Sequence, residues 1–181
     1  RKGYWANNGR TNITSRFSDL YDNYDDIMQQ CRNTDRIIYK DGYEIGGQKY
    51  AEILASVYRQ TNAAHKLFTD SKGNLMYMSR ENNSGGFINT LDVTYPSIPL
   101  FLMLNPELVK GMLRPIVREA TSVRWTYPYA PHDCGQYPLA TGQVYSARHG
   151  ILSEEEQMPV EECGNFILTV AAICRAEGSA A

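Results

Sequence analysis

The stretch QKYAEILASVYRQTNAAHKLF, residues 48–68, sets Tyr50, Ile53, Leu54, Val57, Tyr58, Thr61, Ala64 and Phe68 along one stripe, with Glu52, Arg59 and Lys66 opposite. That spacing is the period of an amphipathic helix and predicts one over 48–68. His65 falls on the apolar stripe and reads as a core histidine with its hydrogen bonds satisfied. Toward the N-terminus, Leu20, Tyr24, Ile27, Met28 and Cys31 repeat the period and predict a helix over 19–33, with Asp19 and Asp22 near its positive end. Toward the C-terminus three more helices are predicted. Ile98 to Leu104 is apolar all round and preceded by Ser97, a candidate cap. Asn105-Pro106 supplies an N-cap and a first-turn proline for a helix whose stripe is Leu108, Val109, Met112, Leu113, Ile116, Val117 and Ala120, with a kink expected at Pro115. The last runs from about Glu161 to Ala176 and stops at Gly178. Asp70-Ser71-Lys72-Gly73 reads as a turn into a short strand, so the expected fold is mainly α, with a small β element near 73–80.

Composition narrows the functional classes. The 181 residues are 43% hydrophobic and 21% charged, which fits one ordered domain rather than a disordered chain. A net charge of −2 provides no positive field for nucleic acid. The longest apolar run falls far short of the roughly 20 residues that span a bilayer. Cys31, Cys134, Cys163 and Cys174 include no C-x-x-C pair, and His65, His132 and His149 do not stand at zinc-ligand spacing around them. Cys163 and Cys174 lie about 16 Å apart on one predicted helix, at about 1.5 Å per residue, too far for a disulfide. Phosphate-binding glycine loops, the nucleophile elbow and the H-E-x-x-H zinc motif are missing, so no metal or cofactor is expected.

The connections are unequal, and antiparallel alternation of the helices brings 1–18, 69–96 and 122–160 to one end. The 39-residue stretch 122–160 is far longer than the connections of about 2 to 8 residues usual in helical bundles, which favours a functional segment. The shared end collects Tyr4, Trp5, Arg10, Glu81, Asn82, Asn83, Asp92, Tyr95, Trp125, Tyr127, Tyr129, His132, Asp133, Tyr137, Gln143, Tyr145, Glu161 and Glu162. Carboxylates among aromatics and amides suit a small, polar, uncharged substrate, because burial can hold one acid protonated while hydrogen-bond donors keep another ionised. Asp92 and one of Glu161 or Glu162 are the acid and base candidates, Asp133 with His132 is a second catalytic pair, and Glu81, Asn82, Tyr95, Trp125 and Gln143 are candidate substrate contacts. Each has a plainer explanation. Acidic residues favour a helix start, which would account for Glu161 and Glu162. Asp133 could cap a turn, Glu81 could belong to a polar turn, and Asp92 could pair with Arg59 or Arg80.

Eight runs occur in order along the chain: Tyr58-Arg59-Gln60, Ala64-His65-Lys66, Ser79-Arg80-Glu81-Asn82, Asp92-Val93-Thr94-Tyr95-Pro96-Ser97, Asn105-Pro106-Glu107-Leu108, Ala130-Pro131-His132-Asp133, Tyr137-Pro138-Leu139-Ala140-Thr141-Gly142-Gln143 and Met158-Pro159-Val160-Glu161-Glu162. Together they resemble the six-helical-hairpin domain of the glutaminase A family, from about Trp5 to Gly178. Cys134 and Cys163 depart from the pattern without removing a carboxylate. The resemblance implies a single domain that is part of an (α/α)6 toroid, an extracellular or periplasmic setting, and hydrolysis of glutamine to glutamate and ammonia. A glycoside hydrolase of the same toroidal type, or a noncatalytic carbohydrate- or peptide-binding module, is the alternative. Five helices amount to about two and a half hairpins, so apolar flanks are expected to meet the rest of the toroid or another copy of the chain.

Overall fold

A computed structural model of the chain describes residues 13–148 and 151–179. It is mainly helical, as the periodicities require, and it divides into two compact units at residue 63. In the first unit α1 (Ile13–Asp22) precedes α2 (Tyr24–Ala63), which bends back on itself at Gly47, where φ is 73° and ψ is −169°. Residues 34–47, which separate the two predicted helices 19–33 and 48–68, are therefore helical up to a two-glycine corner. A β-carbon on Gly42 would lie 3.0 Å from Ala51 Cα, so the two arms of this hairpin close tightly over Gly42. The Arg59 guanidinium reaches across to Asp35, with Nε 3.3 Å from Oδ1.

The predicted helix over 48–68 ends at Ala63, and His65 lies on a strand instead. β1 (His65–Thr69) pairs antiparallel with β2 (Leu75–Ser79), with Leu67 opposite Tyr77. Asp70 shapes their turn: its Oδ1 accepts from the backbone N–H groups of Lys72 and Asn74, each at 2.8 Å. His65 and Phe68 satisfy a helix stripe as well as a strand, so the local period leaves this stretch ambiguous and pairing with β2 decides it. The His65 ring stacks on Tyr77 with centroids 4.8 Å apart and meets Phe101 edge-on, an aromatic core position.

After β2 the chain forms α3 (Leu91–Thr94), a 3-10 turn at Tyr95–Ser97, α4 (Ile98–Leu104) and α5 (Pro106–Ala120). Asn105 caps α5 as expected, its Oδ1 accepting from Glu107 N at 3.1 Å. Ser97 does not cap α4: its hydroxyl donates to Thr94 O at 2.7 Å. α5 runs through Pro115 without an assigned break. β3 (Ala147–Arg148) pairs with β4 (Ile151–Leu152), and α6 (Pro159–Glu177) ends at Gly178 in the left-handed conformation. The core joins Tyr77 and Met78 of β2 to Ile88, Leu91, Ile98, Phe101, Val109, Met112, Leu113, Ile116, Cys134 and Ile173. None of the four cysteines forms a disulfide. Among the described residues no helix is long and apolar enough to cross a membrane.

α5 packs on β2 through Gly111, where a β-carbon would stand 2.5 Å from Leu75 Cδ2 and 3.1 Å from Tyr77 N. Helix propensity favours alanine over glycine by about 1 kcal/mol. Contact with strand backbone opposes it and is the larger effect, because overpacking a closed interface costs about 1–3 kcal/mol. Gly111→Ala is therefore expected to lower thermal stability, and a rise in melting temperature by circular dichroism would refute the close packing of α5 on β2.

Candidate active site

Backbone pairing brings the first two functional segments together. Ile88 N donates to Gly135 O at 2.8 Å, Cys134 N to Ile88 O at 2.9 Å and Leu91 N to His132 O at 3.0 Å. These bonds lock 88–91 beside 132–135, so Asp92 on α3 is set next to His132. α3 in turn packs on α6, and Glu162 lies in the first turn of α6. Asp92, His132 and Glu162 each present a potential ligand atom, and these atoms all lie within 4.8 Å of one another. The three groups are separated by 40 and 30 residues in the chain.

Their environments differ. Glu162 is 1% exposed, and neither carboxyl oxygen has a well-formed hydrogen bond. Burial pushes its pKa up to about 8, and the nearby charges of Asp92, Glu161 and Asp133 push in the same direction; the Asn165 amide opposes them. Asp92 is half-buried, and its Oδ1 accepts from Val93 N at 2.8 Å. Neither arginine considered for it is its partner: Arg59 pairs with Asp35, and the Arg80 guanidinium lies 3.7 Å above the Tyr137 ring.

His132 is held on every side. Its Nδ1 lies 3.0 Å from Asp133 Oδ2, its ring stacks on Tyr145 with centroids 4.0 Å apart, and Phe87 meets it edge-on. Asp133 has no exposed surface. Its carboxyl also accepts from the backbone N–H groups of Gly135 at 2.8 Å, Val144 at 3.2 Å and Tyr145 at 3.1 Å. With oxygens that accept from three backbone donors, Asp133 takes the Nδ1 proton of His132 as a fourth, which leaves the Nε2 lone pair for chemistry. Asp133 acts as a positioning group, since its oxygens are spent on the loop and the imidazole.

The remaining predicted residues occupy supporting places. Gln143 is buried; its Oε1 accepts from His132 N at 2.6 Å, while its Nε2 donates to Gln157 Oε1 at 2.8 Å and Tyr145 O at 3.3 Å. The amide is thus used in orienting the loop. Trp125 is buried, and its indole N–H donates to Tyr129 O at 2.7 Å. Glu81 accepts from the Thr90 hydroxyl at 2.8 Å and from the Ser84 hydroxyl, which ties down the 81–90 turn. Tyr95 packs against the core, and Asn82 and Glu161 are exposed. Tyr4, Trp5 and Arg10 lie outside the described residues. Phe87, Glu119 and Gln157 support the site without belonging to the predicted set. Glu119 Oε1 accepts from Gln143 N at 3.0 Å and from Arg124 at 2.8 Å. Nothing in the local sequence around these three distinguishes them from surface or core residues.

Residues 47–181 match the family model described as the glutaminase A six helical-hairpin domain. The chain belongs to the glutaminase A family. It is 37% identical over 142 residues to Glutaminase A of Aspergillus oryzae, covering 78% of this chain and 19% of that protein. A probable glutaminase of Arthroderma benhamiae is 31% identical over 130 residues, covering 71% of this chain and 14% of the relative. The chain therefore spans less than a fifth of the length of either of these curated relatives. No solved structure gives a significant match. The matched region contains Asp92, His132 and Glu162, so the cluster lies within the glutaminase A domain.

Proposed function

We propose that this domain carries the reacting centre of a glutaminase-like hydrolase, which cleaves the side-chain amide of glutamine to glutamate and ammonia. The convergence of Asp92, His132 and Glu162 from three separate segments is the observation that carries the reading. Asp92, the half-buried carboxylate, takes a proton from water as that water attacks the amide carbon. Glu162, enclosed and unpartnered, gives its proton to the departing nitrogen. His132, fixed by Asp133, orients the attacking water by accepting one of its hydrogens at Nε2. An extracellular or periplasmic setting belongs to the same proposal and follows from the family resemblance.

Ammonia release from glutamine by the full-length protein and by Asp92→Asn tests this, run beside a panel of glycans. The expected result is glutamine turnover that falls at least about 100-fold in the variant, the usual loss when a general base is removed. Cleavage of glycans alone would replace the proposal with a glycosidase. The Asp92 to Glu162 approach is shorter than the roughly 6.5–9.5 Å that an inverting glycosidase needs to seat its water. Activity on neither substrate would indicate a noncatalytic binding module.

A further inference from the structure

We propose that Asp92, His132 and Glu162 form a binding site for one first-row divalent cation, of the zinc class. Two carboxylate oxygens and an imidazole nitrogen suit an ion of borderline softness, and a set of three protein ligands leaves the fourth position of a tetrahedral ion to a non-protein ligand, as in reactive rather than structural zinc sites. Four observations point to an ion. The ligand atoms lie within 4.8 Å of one another. Glu162 is 1% exposed and neither carboxyl oxygen makes a well-formed hydrogen bond, so it brings a dry, poorly satisfied acceptor to the cluster. The Nδ1 of His132 is engaged by Asp133, which leaves Nε2 for the ion. Asp133 is itself fixed by three backbone N–H groups, completing the carboxylate–histidine support that orients metal-binding imidazoles.

A tetrahedral ion with bonds of about 2.0–2.1 Å sets its ligands about 3.4 Å apart. Side-chain rotations of Asp92 and Glu162 close the difference, while His132, clamped between Tyr145 and Phe87, stays in place. An ion bound there occupies all three groups, so zinc is expected to inhibit the acid–base reaction proposed above. The binding claim stands apart from the substrate, because its readout is the ion itself.

The full chain, stripped with chelator, is titrated with Zn2+ against a chromophoric chelator, and with Co2+ followed by visible absorption. One zinc per chain is expected, with affinity falling at least tenfold in Glu162→Gln and in Asp92→Asn. The second variant changes a half-buried group and preserves the fold if the first does not. The Co2+ spectrum is expected to lack thiolate-to-metal bands, although Cys163 is the neighbour of Glu162. Failure to bind one equivalent, affinity unchanged in both variants, or a thiolate band would each overturn the proposal. Glutamine turnover in the metal-free protein, measured separately, reports on the hydrolase reading alone.

Discussion

Replacing Glu162 by glutamine is expected to stabilise the metal-free protein at pH 8 while sharply slowing hydrolysis. The physical reason is that the folded carboxyl titrates near 8 while the same group in the unfolded chain titrates near 4.5. Between those values the folded state holds a proton that the unfolded state has lost, so stability falls as pH rises across that window. The contribution is fully present below pH 4.5 and is lost progressively as pH approaches 8. Each pH unit between the two values is worth about 1.4 kcal/mol, so the parent gives up on the order of 4–5 kcal/mol over the window. Glutamine has nearly the shape of the protonated acid and does not ionise, so Glu162→Gln has no such loss. Chemical denaturation at pH 5 and pH 8, with chelator present, is expected to give near-equal stabilities at the first and a more stable variant at the second. A variant less stable than the parent at pH 8 would mean that Glu162 is ionised and paired in the fold. Turnover is expected to fall about 100- to 10,000-fold, the range for losing a general acid.

Asp133→Ala has the opposite sign. The substitution removes the acceptor of three backbone N–H groups and of the His132 imidazole in a place with no exposed surface. Each buried donor left without a partner costs about 1–3 kcal/mol. Even with relaxation of the 142–145 segment, a loss of about 3–5 kcal/mol is expected. Urea denaturation measures it. Asp133→Asn keeps one carbonyl acceptor and is expected to lose less stability while disturbing the tautomer of His132. A loss below about 1 kcal/mol in Asp133→Ala would refute the role of Asp133 as the anchor of the loop.

The two predictions separate residues that the sequence presents alike. Asp133 and Glu162 are both acids beside a reactive-looking neighbour, yet one is saturated with donors and the other has both oxygens unpartnered. The helix-start explanation fits Glu161, which is exposed, and fails for Glu162, whose side chain is enclosed. The same contrast separates Asp92 from Glu81. Asp92 reaches the cluster, whereas Glu81 is occupied by the hydroxyls of its own turn.

The periodic part of the fold is legible along the chain. An apolar run marks α4, the Asn105 cap and an apolar stripe mark α5, and the Gly178 stop marks α6; the order of connections brings 69–96 and 122–162 together, as the bonding of 88–91 to 132–135 and the contact of α3 with α6 require. A local period cannot tell a helix from a strand at its own boundary, and so His65 to Phe68 fits a helical turn until pairing with β2 assigns it. Nor can the Gly46-Gly47 corner be read without the opposing arm that Gly42 and Ala51 bring into contact. Residue identity alone determined which acids and imidazoles were available. Which of them is dry and which three meet depend on partners 30 or more residues away, and which is saturated depends on how the 132–145 loop folds its own backbone donors onto Asp133; only the tertiary structure decides that, because desolvation and hydrogen bonding are properties of surroundings and not of residue identity.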